Sequence, residues 1–257
     1  MHERITEAVS VLTRDGTQLS GDINRPNGFT PRGTVIFVHG FCGNRQENGL
    51  FNALSDSAVT KGFNTVLYDW RGIGQSQGDF QSTTLSEHAE DFQEVAIWTR
   101  KHLPDGALYG VGFSLGAAIV GSALSNNTTL DRVAYLSPAA RPNLSMWPRY
   151  NTEAIREELQ EKGRIEKNGV LLGPSILNSL RETDLGPQAF TLNVPLLVCQ
   201  ATADTRINPS HTRKLMTERG DAPGFQYREF IGASHSFRPE DTYWQPLALT
   251  LTNFLEA

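Results

Sequence analysis

Apolar and polar positions change rhythm several times along the chain, and each change marks an element. Near the start, AVSVLTRDGTQLSGDINRP holds two extended segments around Asp15-Gly16, a dipeptide favoured in hairpin turns. After Pro31 the run GTVIFVHG is continuously apolar and β-branched, the pattern of a strand covered on both faces. A helical stretch from about Glu47 to Lys61 separates it from a second buried run, GFNTVLYDW. In SEHAEDFQEVAIWTRKHL, residues Ala89, Phe92, Val95, Ala96 and Thr99 recur at helical spacing. The strand ALYGVGF, a helix from Ser114 and the strand RVAYLSP follow. Late in the chain come VPLLVCQA as a strand, a helix from Pro209 to about Arg219, FQYREFI as a strand and DTYWQPLALTLTNFLEA as a closing helix.

Buried strands alternating with helices of this length predict an α/β fold wound through right-handed βαβ units. Two strands at the front and about six parallel ones behind make a mostly parallel, eight-stranded sheet with helices on both faces. Between Pro138 and Pro195 the alternation breaks. That stretch holds a charged helix (NTEAIREELQEKG), a turn-like segment (RIEKNGVLLG) and a second short helix (PSILNSLRETD). A connection this long carries structure of its own or serves function. The expected division is a core of residues 1–138 and 195–257, with 139–194 inserted after one strand.

Composition narrows the classes. A chain of 257 residues with 39% hydrophobic and 20% charged positions is ordinary for a globular protein. The net charge of -5 supplies no basic footprint for nucleic acid or anionic lipid. No run approaches the ~18 apolar residues of a membrane span, and MHERITEAVS lacks the apolar core of a secretory signal. The two cysteines, Cys42 and Cys199, lack metal-ligand spacing. The expectation is a cytoplasmic protein with reduced thiols and no stable membrane insertion, acting as a monomer or homodimer on a small molecule.

The chemistry concentrates at Gly112-Phe113-Ser114-Leu115-Gly116. A serine on a sharp strand-to-helix turn presents its side chain beyond the sheet's carboxyl edge, and flanking glycines remove Cβ atoms that would clash with strand and helix. The alternative is a tight turn with an inert serine. A serine hydroxyl attacks only when a base takes its proton and an acid orients that base. Asp204, just past VPLLVCQATA, and His235, in the loop after FQYREFI, both follow late strands. They stand in the chain order Ser, Asp, His at one sheet edge. Asp69 is the rival acid, better suited to anchoring the loop DWRGIGQSQG. His88, His102, His211 and His2 suit solvated or packing roles. Oxyanion donors are expected from the backbone N–H groups of Leu115, directly after the serine, and Phe41, in the glycine-rich loop HGFCGN. His39 then supports that loop, and Cys42 serves as a small hydrophobe.

Taken in order, the D-G hairpin, HGFCGN, DWRGIGQS, GFSLG, Asp204 in ATADTRINP and GASH ending at His235 resemble the α/β-hydrolase superfamily over nearly the whole chain. HGFCGN, YDWRGIGQSQGDF and the insertion are similar to the lid-bearing group of cinnamoyl esterases, monoacylglycerol lipases and serine aminopeptidase-like hydrolases. The resemblance implies a Ser-His-Asp esterase without cofactor or metal, and a lid over the site. Trp147, Tyr150, Ile176 and Leu177 from the lid, with Phe41 beneath, are then expected to line a pocket for a small to medium apolar acyl group. Thioester hydrolysis or acyl transfer on the same triad, and a non-hydrolytic binding protein, stay open as alternatives.

Overall fold

A computed structural model describes residues 4–28, 30–125, 128–186, 193–220, 223–238 and 240–257. Strands β1 (Arg4–Leu12) and β2 (Gln18–Pro26) form the expected antiparallel hairpin. Strand β3 (Gly33–Val38) runs to a 3-10 turn (Glu47–Gly49) and helix α1 (Leu50–Thr60), then β4 (Asn64–Tyr68). The helix expected from Glu47 starts three residues later. Glu47, Asn48 and Gly49 all take positive φ (44°, 53° and 89°), which an α-helix cannot absorb.

Helix α2 (Leu85–His102) opens on a capping box between Thr84 and Glu87. Strand β5 (Ala107–Phe113), helix α3 (Leu115–Ser125) and strand β6 (Arg132–Leu136) follow. The connection after β6 holds α4 (Pro142–Ser145), a 3-10 turn (Trp147–Arg149), α5 (Glu153–Lys162), β7 (Ile165–Lys167), β8 (Val170–Leu172) and α6 (Pro174–Glu182). The segment read as turn-like is a two-stranded hairpin. Asn168 and Gly169 at its tip adopt φ of 53° and 78°, the conformation an Asn-Gly turn favours. The core resumes with β9 (Leu196–Ala201), α7 (Pro209–Arg219), β10 (Phe225–Phe230) and α8 (Trp244–Glu256).

The main sheet has the expected eight strands, in the order β1-β2-β4-β3-β5-β6-β9-β10. The β1–β2 and β2–β4 pairs are antiparallel and the remaining neighbours parallel. Alternation of side chains along each strand divides the core between two faces. Val35 and Phe37 join α1 and α8 on one side. Ile36 and Val38 join α2, α3 and α7 on the other. The insertion is fastened to the second side: Ile176, Leu177 and Leu180 of α6 are buried in that cluster with Phe80 and Leu85. The Leu85 N–H also donates to Ser179 Oγ at 2.7 Å. Strand β5 lies between β3 and β6, so its carboxyl end opens in the middle of the sheet.

Candidate active site

Ser114 stands between the last residue of β5 and the first of α3, with a left-handed φ of 53°. A non-glycine residue in this region costs on the order of 1–3 kcal/mol and persists only where its surroundings hold it. Here Ser114 N–H donates to the Leu136 carbonyl at 2.9 Å, and the Ser114 carbonyl accepts from Ala139 N–H at 2.9 Å. Strand β6 and the start of the insertion therefore clamp the turn from both ends. The flanking glycines have steric reasons. A Cβ on Gly116 would lie 2.1 Å from the Val38 carbonyl oxygen, and one on Gly112 would lie 2.5 Å from Ala117 Cα. Neither position admits another residue without moving backbone.

Asp204 and His235 follow β9 and β10, and the sheet's parallel register brings both loops to the same edge. His235 Nε2 lies 3.0 Å from Ser114 Oγ, and His235 Nδ1 lies 2.6 Å from Asp204 Oδ2. The other Asp204 oxygen, Oδ1, accepts the N–H groups of Arg206 and Ile207, each at 2.8 Å. An ionised carboxylate facing Nδ1 puts the ring proton there, which leaves Nε2 as acceptor for the serine hydroxyl. All three side chains are buried. The structure thus brings Ser114, His235 and Asp204 into one hydrogen-bonded line.

The HGFCGN loop lies directly beside them. A Cβ on Gly40 would sit 3.3 Å from Ser114 Cβ. Leu115 opens α3, so its N–H is one of the unpaired first-turn donors. Among the described residues, neither it nor the Phe41 N–H meets an acceptor. His39 is fully buried under Trp70, with ring centroids 4.6 Å apart. Its Nε2 accepts the Trp70 N–H at 3.1 Å and its Nδ1 donates to the Gly40 carbonyl at 2.8 Å. Burial pushes its pKa down to about 4, so it stays neutral and braces the loop. Asp69 likewise anchors a loop, accepting from Arg45 Nη1 at 2.6 Å and from the Gln75 N–H at 3.1 Å. Burial raises the Cys42 thiol to about 12, far from a thiolate nucleophile.

The remaining histidines stand apart from Ser114. His88 is buried against Trp70 and Thr83, and His102 rests on the Trp98 carbonyl. His211 is on α7, and His2 lies outside the described residues.

A cavity of about 410 Å³ opens over Ser114 and His235. Phe41 and Tyr150 line it as expected, together with Met146, Ile155 and Ile165. Three other expected lining residues lie elsewhere. Ile176 and Leu177 are buried in the core beneath the insertion, because the apolar face of α6 is what fastens it down. Trp147 is half-buried under the Arg181 guanidinium, 5.9 Å away, outside the lining.

Charged residues outside the expected set also face the cavity: Glu47, Arg149, Glu158, Glu166, Lys167 and Arg206. For Glu47 and Arg206 a signal existed. Glu47 follows the HGFCGN loop by a few residues, and Arg206 stands two residues past Asp204. Glu47 Oε2 accepts the Gly40 N–H at 2.8 Å, and burial pushes the carboxyl up to about 7 despite that bond.

A family model described as the alpha/beta hydrolase fold matches residues 33–164, more than half of the chain. The chain belongs to the α/β hydrolase fold family. Among curated relatives, this α/β hydrolase is 33% identical over 104 residues to an uncharacterised 31.7 kDa protein of the traX-finO intergenic region of Escherichia coli. That match covers 40% of this chain and 36% of the relative. It is 28% identical over 124 residues to human pancreatic triacylglycerol lipase, covering 47% of this chain and 26% of the lipase. The chain thus spans about a third or less of the length of these curated relatives. Among solved structures, Est1E from Butyrivibrio proteoclasticus with ferulic acid bound superposes with a TM-score of 0.81. Its identity is 18%, over 96% of this chain and 98% of Est1E. At that identity the likeness of this α/β hydrolase to Est1E concerns the fold.

Proposed function

We propose that this α/β hydrolase is a serine hydrolase of carboxylic esters with small to medium acyl groups. The observation that carries the reading is the Ser114–His235–Asp204 line, with Oγ–Nε2 at 3.0 Å and Nδ1–Oδ2 at 2.6 Å. Ser114 Oγ attacks the ester carbonyl while His235 Nε2 takes its proton. Asp204 holds the imidazole in the required tautomer and stabilises the imidazolium. The tetrahedral oxyanion is received by the N–H groups of Phe41 and Leu115, which meet no competing acceptor among the described residues. His235 then protonates the departing alcohol, leaving an acyl group on Ser114. The same histidine activates the water that releases the acid.

The insertion of residues 139–194 acts as a lid. Its Met146, Tyr150, Ile155 and Ile165 face the cavity above the triad and supply the apolar wall for the acyl group. The lipase relative and the likeness in fold to Est1E, whose structure has ferulic acid bound, support the same class of chemistry. The test is steady-state hydrolysis of p-nitrophenyl butyrate by wild type and by Ser114→Ala. Triad members act as a unit, so the variant is expected to lose several orders of magnitude in kcat. Retention of activity by folded Ser114→Ala would overturn the proposal.

A further inference from the structure

Two arginines stand where the catalytic cavity meets its surroundings. Arg149, ending the 3-10 turn of the insertion, and Arg206, in the loop between β9 and α7, both line the cavity over Ser114. Both also line an adjoining groove of about 400 Å³ that runs past Asp204 toward the start of α7. Each is tethered without its guanidinium being neutralised. The Arg206 N–H is fixed by Asp204 Oδ1, and Arg149 Nη2 donates to the Ser145 carbonyl at 3.0 Å.

Their charges are left over. Eleven other arginines have a carboxylate oxygen within 4.0 Å. Arg149 and Arg206 have none among the described residues. The acidic residues of the cavity do not balance them. Glu158 is paired with Lys162 at 3.2 Å. Glu47 is committed to the Gly40 N–H, and burial raises its carboxyl to about 7 although the Arg206 charge pulls it down, so it offsets Arg206 only in part. Glu166 is then the one further carboxylate in the lining against the three cations Arg149, Arg206 and Lys167. The groove adds His211 and the amino end of α7, capped by Asn208, where the helix dipole favours negative charge.

We propose that Arg149 and Arg206 form a subsite for a carboxylate on the non-reacting part of the substrate, so that the enzyme selects anionic esters over neutral ones. This rests on ester hydrolysis at Ser114. A guanidinium fork matches a carboxylate in two parallel hydrogen bonds. A cavity wall with excess positive charge also concentrates anions beside the nucleophile. The apolar wall formed by Phe41, Met146 and Ile165 then carries the aliphatic part of the molecule.

Two matched pairs test the subsite. Monoethyl glutarate against its terminal amide places the charge on the acyl side. The butyrate ester of 3-hydroxypropanoate against its amide places it on the alcohol side. The readout is the ratio of kcat/KM, anionic over neutral, within each variant, which cancels changes in folding or triad efficiency. Wild type is expected to show a ratio of about ten or more for at least one pair, falling at 0.5 M salt. Arg149→Gln and Arg206→Gln should each lower it about tenfold. Arg206→Lys should recover part of it, and Arg228→Gln on β10 should leave it as in wild type.

A ratio near one in both pairs, or one unchanged in the double glutamine variant, overturns the subsite while leaving ester hydrolysis intact. If no ester of the four is turned over, calorimetry on Ser114→Ala still decides. Saturable binding of monoethyl glutarate that Arg206→Gln weakens supports the subsite, and absence of binding overturns it.

Discussion

Replacing Asp204 by asparagine preserves the side chain's shape and isolates the role of its charge. The outcome follows from the two carboxylate oxygens. Oδ1 accepts two backbone N–H groups, from Arg206 and Ile207, at 2.8 Å each. An asparagine must therefore keep its carbonyl oxygen at that position, because an NH₂ group there would face two donors. Its NH₂ then falls at the Oδ2 position, 2.6 Å from His235 Nδ1. Nδ1 becomes an acceptor, the ring proton moves to Nε2, and Nε2–H faces Ser114 Oγ across 3.0 Å. In that tautomer the histidine cannot take the serine proton.

For a serine triad locked in the wrong tautomer, kcat falls by ~10⁴, equivalent to about 5 kcal/mol of barrier. The assay is p-nitrophenyl butyrate turnover by Asp204→Asn, with a thermal melt and circular dichroism to establish folding. A folded Asp204→Asn within tenfold of wild-type kcat would refute the tautomer argument and the role it gives Asp204.

Further outcomes follow from the buried groups. Glu47 titrates near 7 against an ordinary 4.5, so between those values the native state keeps a proton the unfolded chain has released. Stability therefore drops as pH rises through that window. Glu47→Gln, which retains an acceptor for the Gly40 N–H, should be more stable than wild type by up to about 3 kcal/mol at pH 8. The gap should close near pH 4.5, as read by urea unfolding. His88 has the opposite sign. Burial lowers it from 6.5 to about 3, so native stability is lost as pH falls below 6.5. His88→Gln should flatten that acid limb in the same unfolding series. Gly116→Ala sets a Cβ 2.1 Å from the Val38 carbonyl, and should cost about 3 kcal/mol or more, or prevent folding. A melting temperature within a few degrees of wild type would show that the turn can shift.

The parts of this molecule legible in the sequence are those that backbone chemistry dictates. Continuous apolar runs and the Asp15-Gly16 turn give the eight strands, because burial on both faces leaves a distinctive composition. Ser114 is legible because only glycine fits at 112 and 116. Asp204 and His235 follow from strand ends that parallel pairing must align.

The cavity wall was much less legible. Apolar residues of an insertion serve either to line a site or to fasten the insertion, and periodicity cannot separate the two. Ile176 and Leu177 carry the pattern of lining residues but fasten α6 to the core. The β7–β8 hairpin leaves little pattern because its strands span three residues each, although Asn168-Gly169 announces the turn. No pattern along the chain marks Arg149 and Arg206, since their lack of a carboxylate partner exists only in three dimensions.

The most direct test of the central claim is intact-protein mass spectrometry after incubation with a fluorophosphonate, followed by mapping of the modified peptide. Transfer of one phosphonyl group to Ser114 with loss of fluoride is the predicted result, absent in Ser114→Ala and markedly slowed in Asp204→Asn. Folded wild type left unmodified, or modified at a residue other than Ser114, would contradict a nucleophilic serine at this turn.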